Sequence, residues 1–347
     1  MLRELLQERK IPSLQTGTPW SERRREIFEI LETEIYGRPV PPLQPEFSVT
    51  AGESICAGKG VHTSVQLNFP QIGFSFPLEV MRPKNAVKVP TFVFLNFGRD
   101  IYHKYLPIEE ILDEGFAVAR IFYKDITSDD GDFEDGLAGA LHTDRTDPTA
   151  CGKIAMWAWA ASRAADYLET TDWADLENIA VMGHSRLGKT ALLAGAYDPR
   201  FRYVFSNDSG CSGAAITRGK TGEHVKEIWE HFDYWFCGNY SRYIDNESVM
   251  PFDQHFLLAL AAPRIVGVHS AREDSWADPE SEFLCCAAAS EAWETYGQTG
   301  FVCPDRLPLV GDDFADGSVT YSLRSGEHYL SRWDWQKYMK CVLTKRK

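Results

Sequence analysis

Ser185 stands in Gly183-His184-Ser185-Arg186-Leu187-Gly188-Lys189, between the apolar run Ile179-Ala180-Val181-Met182 and the helix-forming run Thr190-Ala191-Leu192-Leu193-Ala194-Gly195-Ala196. A serine hydroxyl is a weak nucleophile and becomes useful only when it is exposed on a sharp turn and faces a base. Small flanking residues permit such a turn, which is the logic of the nucleophile elbow G-x-S-x-G. Here the second glycine comes one residue late, at Gly188, and Leu187 occupies its usual place. A serine at a helix start can also be a plain N-cap, but the strand–turn–helix setting favours the elbow. Arg186 and Lys189 add a second signal. Cations in the first turn oppose the helix dipole at a cost of about a few tenths of a kcal/mol. Two of them beside a nucleophile point to a negative or hydroxyl-rich ligand; the plainer alternative is that both reach solvent or nearby carboxylates.

A serine nucleophile needs a general base, and the base needs an acid to orient it and stabilise its protonated form. In strand–helix hydrolases these follow the serine in the order acid, then histidine. His328, in Ser325-Gly326-Glu327-His328-Tyr329, lies on a loop before the terminal helical segment 333–342, where the base is expected. His255 falls in a helix and His269 in an apolar strand, so both read as structural. Two acids end successive strands: Asp208 closes segment 203–208, and Asp274 follows segment 265–270. Either could serve.

The elements that must hold these residues alternate along the chain. Strand-like runs at 64–69, 74–81 and 91–97 are followed by helix 108–114, strand 117–123, helix 154–169 and strand 179–184. Helix 186–196, strand 203–208, helix 251–261, strand 265–270 and helix 281–296 complete the series. Apolar strands alternating with amphipathic helices predict an α/β fold: a three-layer sandwich with a mostly parallel central sheet. The early hairpin-like strands would extend it antiparallel at one edge. Ligands of such sheets bind beyond the carboxyl ends of the strands. With 347 residues and 44% hydrophobic content, one domain spanning 1–347 can bury a full core. A helical N-terminal arm covers about 1–45, and the Pro-rich segment 39–45 acts as a connector.

At this point the chain resembles the glucuronoyl esterases, carbohydrate esterase family fifteen, and their bacterial branch in particular. The family's G-C-S-R-x-G-K elbow matches Gly183, Ser185, Arg186, Gly188 and Lys189, with His184 where fungal members have Cys. Asn207–Gly213, Gly222–Val225, Trp235–Cys237, Pro251–His255, Ala262–Arg264, Glu273–Pro279 and Gly326–His328 follow in family order, and Glu114–Ala117 and Tyr123–Ile126 precede them. The resemblance covers most of the chain from about Thr91. It implies an α/β-hydrolase fold and hydrolysis of the ester between a (4-O-methyl) glucuronic acid carboxyl on xylan and an alcohol of lignin. It implies further that Ser185 attacks the carboxyl carbon and that His328 is first base and then acid. Arg186 would stabilise the oxyanion through its backbone N–H, with its guanidinium available as a second donor. Lys189 would bind the sugar hydroxyls, Glu223 falls in the sugar-binding segment, and Trp276 would line the sugar pocket. The family places its acid at either of two positions, and both are acidic here, Asp208 and Asp274.

Two other functions remain open: a carbohydrate deacetylase such as an acetyl xylan esterase, and a hydrolase-like protein that binds without catalysis. The formal charge of −14 disfavours nucleic acid and anionic membranes as partners. The expected partner is a small-molecule or oligosaccharide ester, and the expected state a monomer or small homo-oligomer. The mechanism calls for no metal or organic cofactor. The eight cysteines show no C-x-x-C pair or zinc spacing and read as small buried hydrophobes, with a Cys211–Cys237 bridge as the alternative for that pair. The first ten residues lack the apolar stretch of a signal peptide, so the expected location is cytoplasmic, unless a secretion signal has been trimmed.

Overall fold

The computed structural model describes residues 1–346. Two helices, α1 (Leu2–Glu8) and α2 (Trp20–Glu34), lead into an antiparallel set: β1 (Glu46–Val49), β2 (Glu53–Ile55), β3 (Gly60–Phe69) and β4 (Phe74–Pro83). The alternating part follows as β5 (Val89–Asn96), α3 (Ile108–Asp113), β6 (Ala117–Phe122), α4 (Gly136–Ala140), α5 (Lys153–Leu168), β7 (Ala174–His184), α6 (Arg186–Tyr197) and β8 (Phe201–Asn207). Then come α7 (Val225–Phe232), α8 (His255–Ala259), β9 (Ile265–Ala271), α9 (Pro279–Ala289), α10 (Glu291–Glu294), β10 (Asp313–Phe314), β11 (Val319–Arg324) and α11 (Arg332–Lys345).

All strands join one eleven-stranded sheet in the order β1-β3-β4-β6-β5-β7-β8-β9-β11-β10, with β2 on β3. The six strands β6, β5, β7, β8, β9 and β11 run parallel. Every residue of β5 is buried, as expected of a strand covered on both faces. The larger apolar layer lies on the face covered by α5, α6 and α9 and includes Trp157, Leu193 and Phe283. The opposite layer is built around Phe92, Phe94, Met182, Phe205 and Trp335 under α3 and α11. Leu14, Ile27, Leu31, Ile35 and Tyr36 of the N-terminal arm belong to the first of these clusters, so arm and sheet share a core.

The antiparallel edge appears where the hairpin predicted it, but antiparallel pairing also closes the other edge, between β10 and β11. Helix 251–261 shrinks to α8, and helix 281–296 breaks at Ser290 into α9 and α10. Helical structure in the arm ends at Glu34, and 39–45 is irregular. Cys211 and Cys237 are separate free thiols, both raised in pKa by burial.

Candidate active site

Ser185 joins β7 to α6 with φ 58° and ψ −129°, a backbone region that costs a non-glycine residue of order 1–3 kcal/mol. The turn lies at the carboxyl end of the central strand β7, where Ser185 lines a cavity. The turn packs so tightly that a Cβ on Gly183 would lie 2.0 Å from the carbonyl oxygen of Leu187. A Cβ on Gly188 would fall 2.9 Å from Ser206 Oγ and from Ser209 Cβ, at the end of β8. These two contacts explain the displaced glycine. Leu187 points into the core and is fully buried, so the close approach falls on the next residue.

His328 is carried on the loop between β11 and α11, and its Nδ1 lies 2.6 Å from Asp274 Oδ2. Burial pushes Asp274 up, but the hydrogen bond and charge of His328 outweigh it and hold the carboxyl below its usual range. Asp208 sits beside the pair, with a carboxylate oxygen within 4.8 Å of a carboxylate oxygen of Asp274 and of a ring nitrogen of His328. Its hydrogen bonds go elsewhere: Oδ1 accepts from the Ala271 N–H at 2.8 Å and Oδ2 from Arg324 Nη2 at 3.4 Å. Complete burial and the charges of Glu282, Asp334 and Asp274 raise its pKa well above a normal carboxyl, against the pull of Arg324. The geometry therefore brings both sequence-selected acids to the base and bonds only Asp274 to it.

A cavity of about 360 Å³ opens between these groups. Its wall contains Ser185, Arg186, Lys189, Asp208, Glu223, Asp274, Trp276 and His328, every site residue selected from the sequence. Arg186 is the first residue of α6, so its backbone N–H stays outside the helix ladder. Its guanidinium is clamped by Asp129 through Nη1, lies 4.5 Å from the Trp235 ring centroid and 5.1 Å from that of Phe232, and its Nε is buried without a partner. Lys189 is buried, donates to the Ser209 carbonyl at 2.6 Å and lies 3.7 Å from Glu223 Oε2. Each cation thus lines the cavity and each has an acidic neighbour, as the plainer sequence reading expects. Trp276 is 54% exposed at the rim. Trp235 and Phe232 stack 4.0 Å apart and only 5° from parallel, making a flat aromatic wall.

Sequence reasoning did not select Asp129. It accepts from Tyr123 Oη at 2.7 Å and Trp235 Nε1 at 2.9 Å besides Arg186, and its backbone carbonyl takes Tyr234 Oη at 2.9 Å. In the sequence it opens Asp129-Asp130-Gly131-Asp132, which reads as a solvated loop. Phe232 and Trp235 also line the cavity, and nothing in their sequence surroundings beyond the family segment 235–237 marks either for a role.

The family model described as "Glucuronyl esterase, fungi" matches residues 67–297. A carbohydrate esterase from an unknown prokaryotic organism, MZ0003, is 35% identical over 92% of this chain and 84% of its own length. The chain belongs to the glucuronoyl esterase family. The glucuronoyl esterase from Solibacter usitatus superposes with a TM-score of 0.90 at 34% identity, covering 97% of this chain and 98% of that one. The 4-O-methyl-glucuronoyl methylesterase of Podospora anserina is 31% identical over 80% of this chain, which matches 56% of the fungal protein's length. The α/β-hydrolase fold and the assignment as a serine carboxylic-ester hydrolase of this family follow. Among the described residues no helix is long and apolar enough to cross a membrane.

Proposed function

We propose that this chain cleaves esters of (4-O-methyl) glucuronic acid on xylan-derived saccharides through an acyl-enzyme on Ser185. His328 takes the Ser185 proton and returns it to the departing alcohol, and Asp274 holds the imidazole in the tautomer that can do this. The backbone N–H of Arg186, outside the helix ladder at the start of α6, is the donor for the oxyanion, of a kind whose removal costs about 10²–10³ in rate. Lys189, Glu223 and Trp276 surround the sugar portion of the acyl group.

The observation that carries this reading is the acyl side of the cavity. A volume of about 360 Å³ lined by Arg186, Lys189, Glu223 and two tryptophans is large and polar enough for a sugar acid. An acetyl group would leave most of it empty and its polar groups unmet, which disfavours the deacetylase. The test is hydrolysis of benzyl glucuronate beside an acetylated xylose. Release of glucuronate is expected; release of acetate alone would overturn the proposal.

A further inference from the structure

We propose that His184 is a positioning residue for the general base: a neutral imidazole, locked in one tautomer by Asn207, against whose face the His328 ring rests. The inference builds on the Ser185–His328 chemistry proposed above. His184 is the last residue of β7 and the immediate neighbour of Ser185. Its side chain follows Ala180 and Met182 onto the α11 face of the sheet, and it is 2% exposed. Its ring centroid lies 4.5 Å from that of His328, with the planes 39° apart. Tyr105 at 5.2 Å and Phe97 at 6.2 Å pack round it.

The tautomer follows from the hydrogen bonds. β7 and β8 place His184 beside Asn207 in register, and His184 Nδ1 lies 2.6 Å from Asn207 Oδ1. Asn207 Nδ2 donates to the backbone carbonyl of His269 at 3.5 Å. That turns the amide oxygen towards His184, so Nδ1 of His184 is the donor and carries the proton of the neutral ring. Charging the ring would require a second proton in a buried site. Burial, with His328 alongside, pushes its pKa down to about 3.

His328 needs such support. Its side chain is 44% exposed, and one hydrogen bond to Asp274 leaves the ring free to swing about the Nδ1–Oδ2 line. A contact on its face removes that freedom, and small misplacements of a reacting group are costly. The neighbour must also stay uncharged, because His328 becomes a cation as it accepts the Ser185 proton. The charged or titratable groups around the His328 loop include Asp274 and Asp208 on the adjoining loops, Glu273, which accepts the Gly326 N–H, Glu327 and Tyr329 on either side of the base, His184 on β7, and Arg324. Arg324 sits at the end of β11 and holds the backbone carbonyls of Glu327 and Tyr329 on either side of the base.

The experiment compares His184→Ala and His184→Phe, assayed on benzyl glucuronate and on nitrophenyl acetate, with thermal melting of each variant. The alanine variant removes the supporting face and is expected to lose at least about tenfold in kcat, with KM within about twofold. The phenylalanine variant keeps an uncharged ring and should retain kcat within about threefold, with the acid limb of its pH profile where the wild type has it. An alanine variant with wild-type kcat overturns the proposal. So does a phenylalanine variant as impaired as the alanine one, or a loss fully explained by the unfolded fraction. A wild type that cleaves nitrophenyl acetate but not the glucuronate ester overturns the substrate reading, and the variant ratios still judge this one. A wild type inactive on both overturns both.

Discussion

Asp274 and Asp208 are the same residue type, a few ångströms apart, and their surroundings give them different work. Asp274 is held below its usual pKa by the imidazole it bonds, whereas burial and neighbouring carboxylates drive Asp208 toward its neutral form. An acid that stabilises an imidazolium must be ionised, which selects Asp274. Asp274→Asn is therefore expected to lower kcat by about 10³–10⁴, as loss of an orienting carboxylate does. Asp208→Asn should keep kcat within about tenfold, since its bonds go to a backbone N–H and to Arg324. Equal losses would mean that the acids share the role. Asp129 acts at the same scale without touching the nucleophile. Asp129→Ala would leave the Arg186 charge and the Trp235 and Tyr123 donors unmet in a buried place, costing about 3–5 kcal/mol of stability. Asp129→Asn keeps the shape and should lower kcat by about 10–100-fold through a loosened guanidinium. Melting curves and kcat separate the two effects. Ser185, His328, Asp208 and Asp274, which the structure brings to one cavity, could be picked out from residue types and chain order. The choice between the acids could not, because both close consecutive strands and only the direction of their hydrogen bonds tells them apart.

Helices and strands were legible wherever burial on both faces made the runs apolar, as in β5, β6 and β7. β11 escaped notice because Thr320 and Ser322 interrupt its apolar residues, although both are buried within the sheet. β1, mostly exposed at the edge, offers no alternation to read. Helix α9 shows what an element contributes beyond its boundaries. Its Glu282 is fully buried beneath the site, where Oε1 accepts the Gly210 N–H at 2.9 Å and Oε2 the Ser270 hydroxyl. Burial raises its pKa from 4.5 to about 7, partly relieved by those two donors. A carboxyl raised on folding stabilises the protein while it is protonated. That contribution is complete below pH 4.5 and disappears as pH rises through about 7. Glu282→Gln removes the ionisation while retaining an acceptor. The variant should lose this decline, so that between those pH values its melting temperature falls less steeply than that of the wild type. Parallel melting curves for the two proteins would show that Glu282 does not titrate in this range.

At the scale of the molecule, the reaction creates charge where the protein already carries much of the same sign. A glucuronate ester is uncharged at its carboxyl, but the product acid is an anion. The chain carries a formal net charge of −14, and the two cations of the cavity are already engaged, Arg186 by Asp129 and Lys189 near Glu223. Asp274 adds another negative charge to the wall. The arrangement is expected to favour the neutral substrate over its own product, through a field that extends beyond any single contact. Such a field is screened by salt, over a distance that shrinks from about 30 Å at 0.01 M to about 8 Å at 0.15 M. Product inhibition by glucuronate should accordingly tighten as salt is added across that range, with the inhibition constant falling about two- to threefold. Uncharged glucose, tested in parallel, should show no such trend. If the inhibition constant rose with salt instead, the product would be held by Arg186 and Lys189 as local attractors, and release would have to be driven by something other than the charge of the protein.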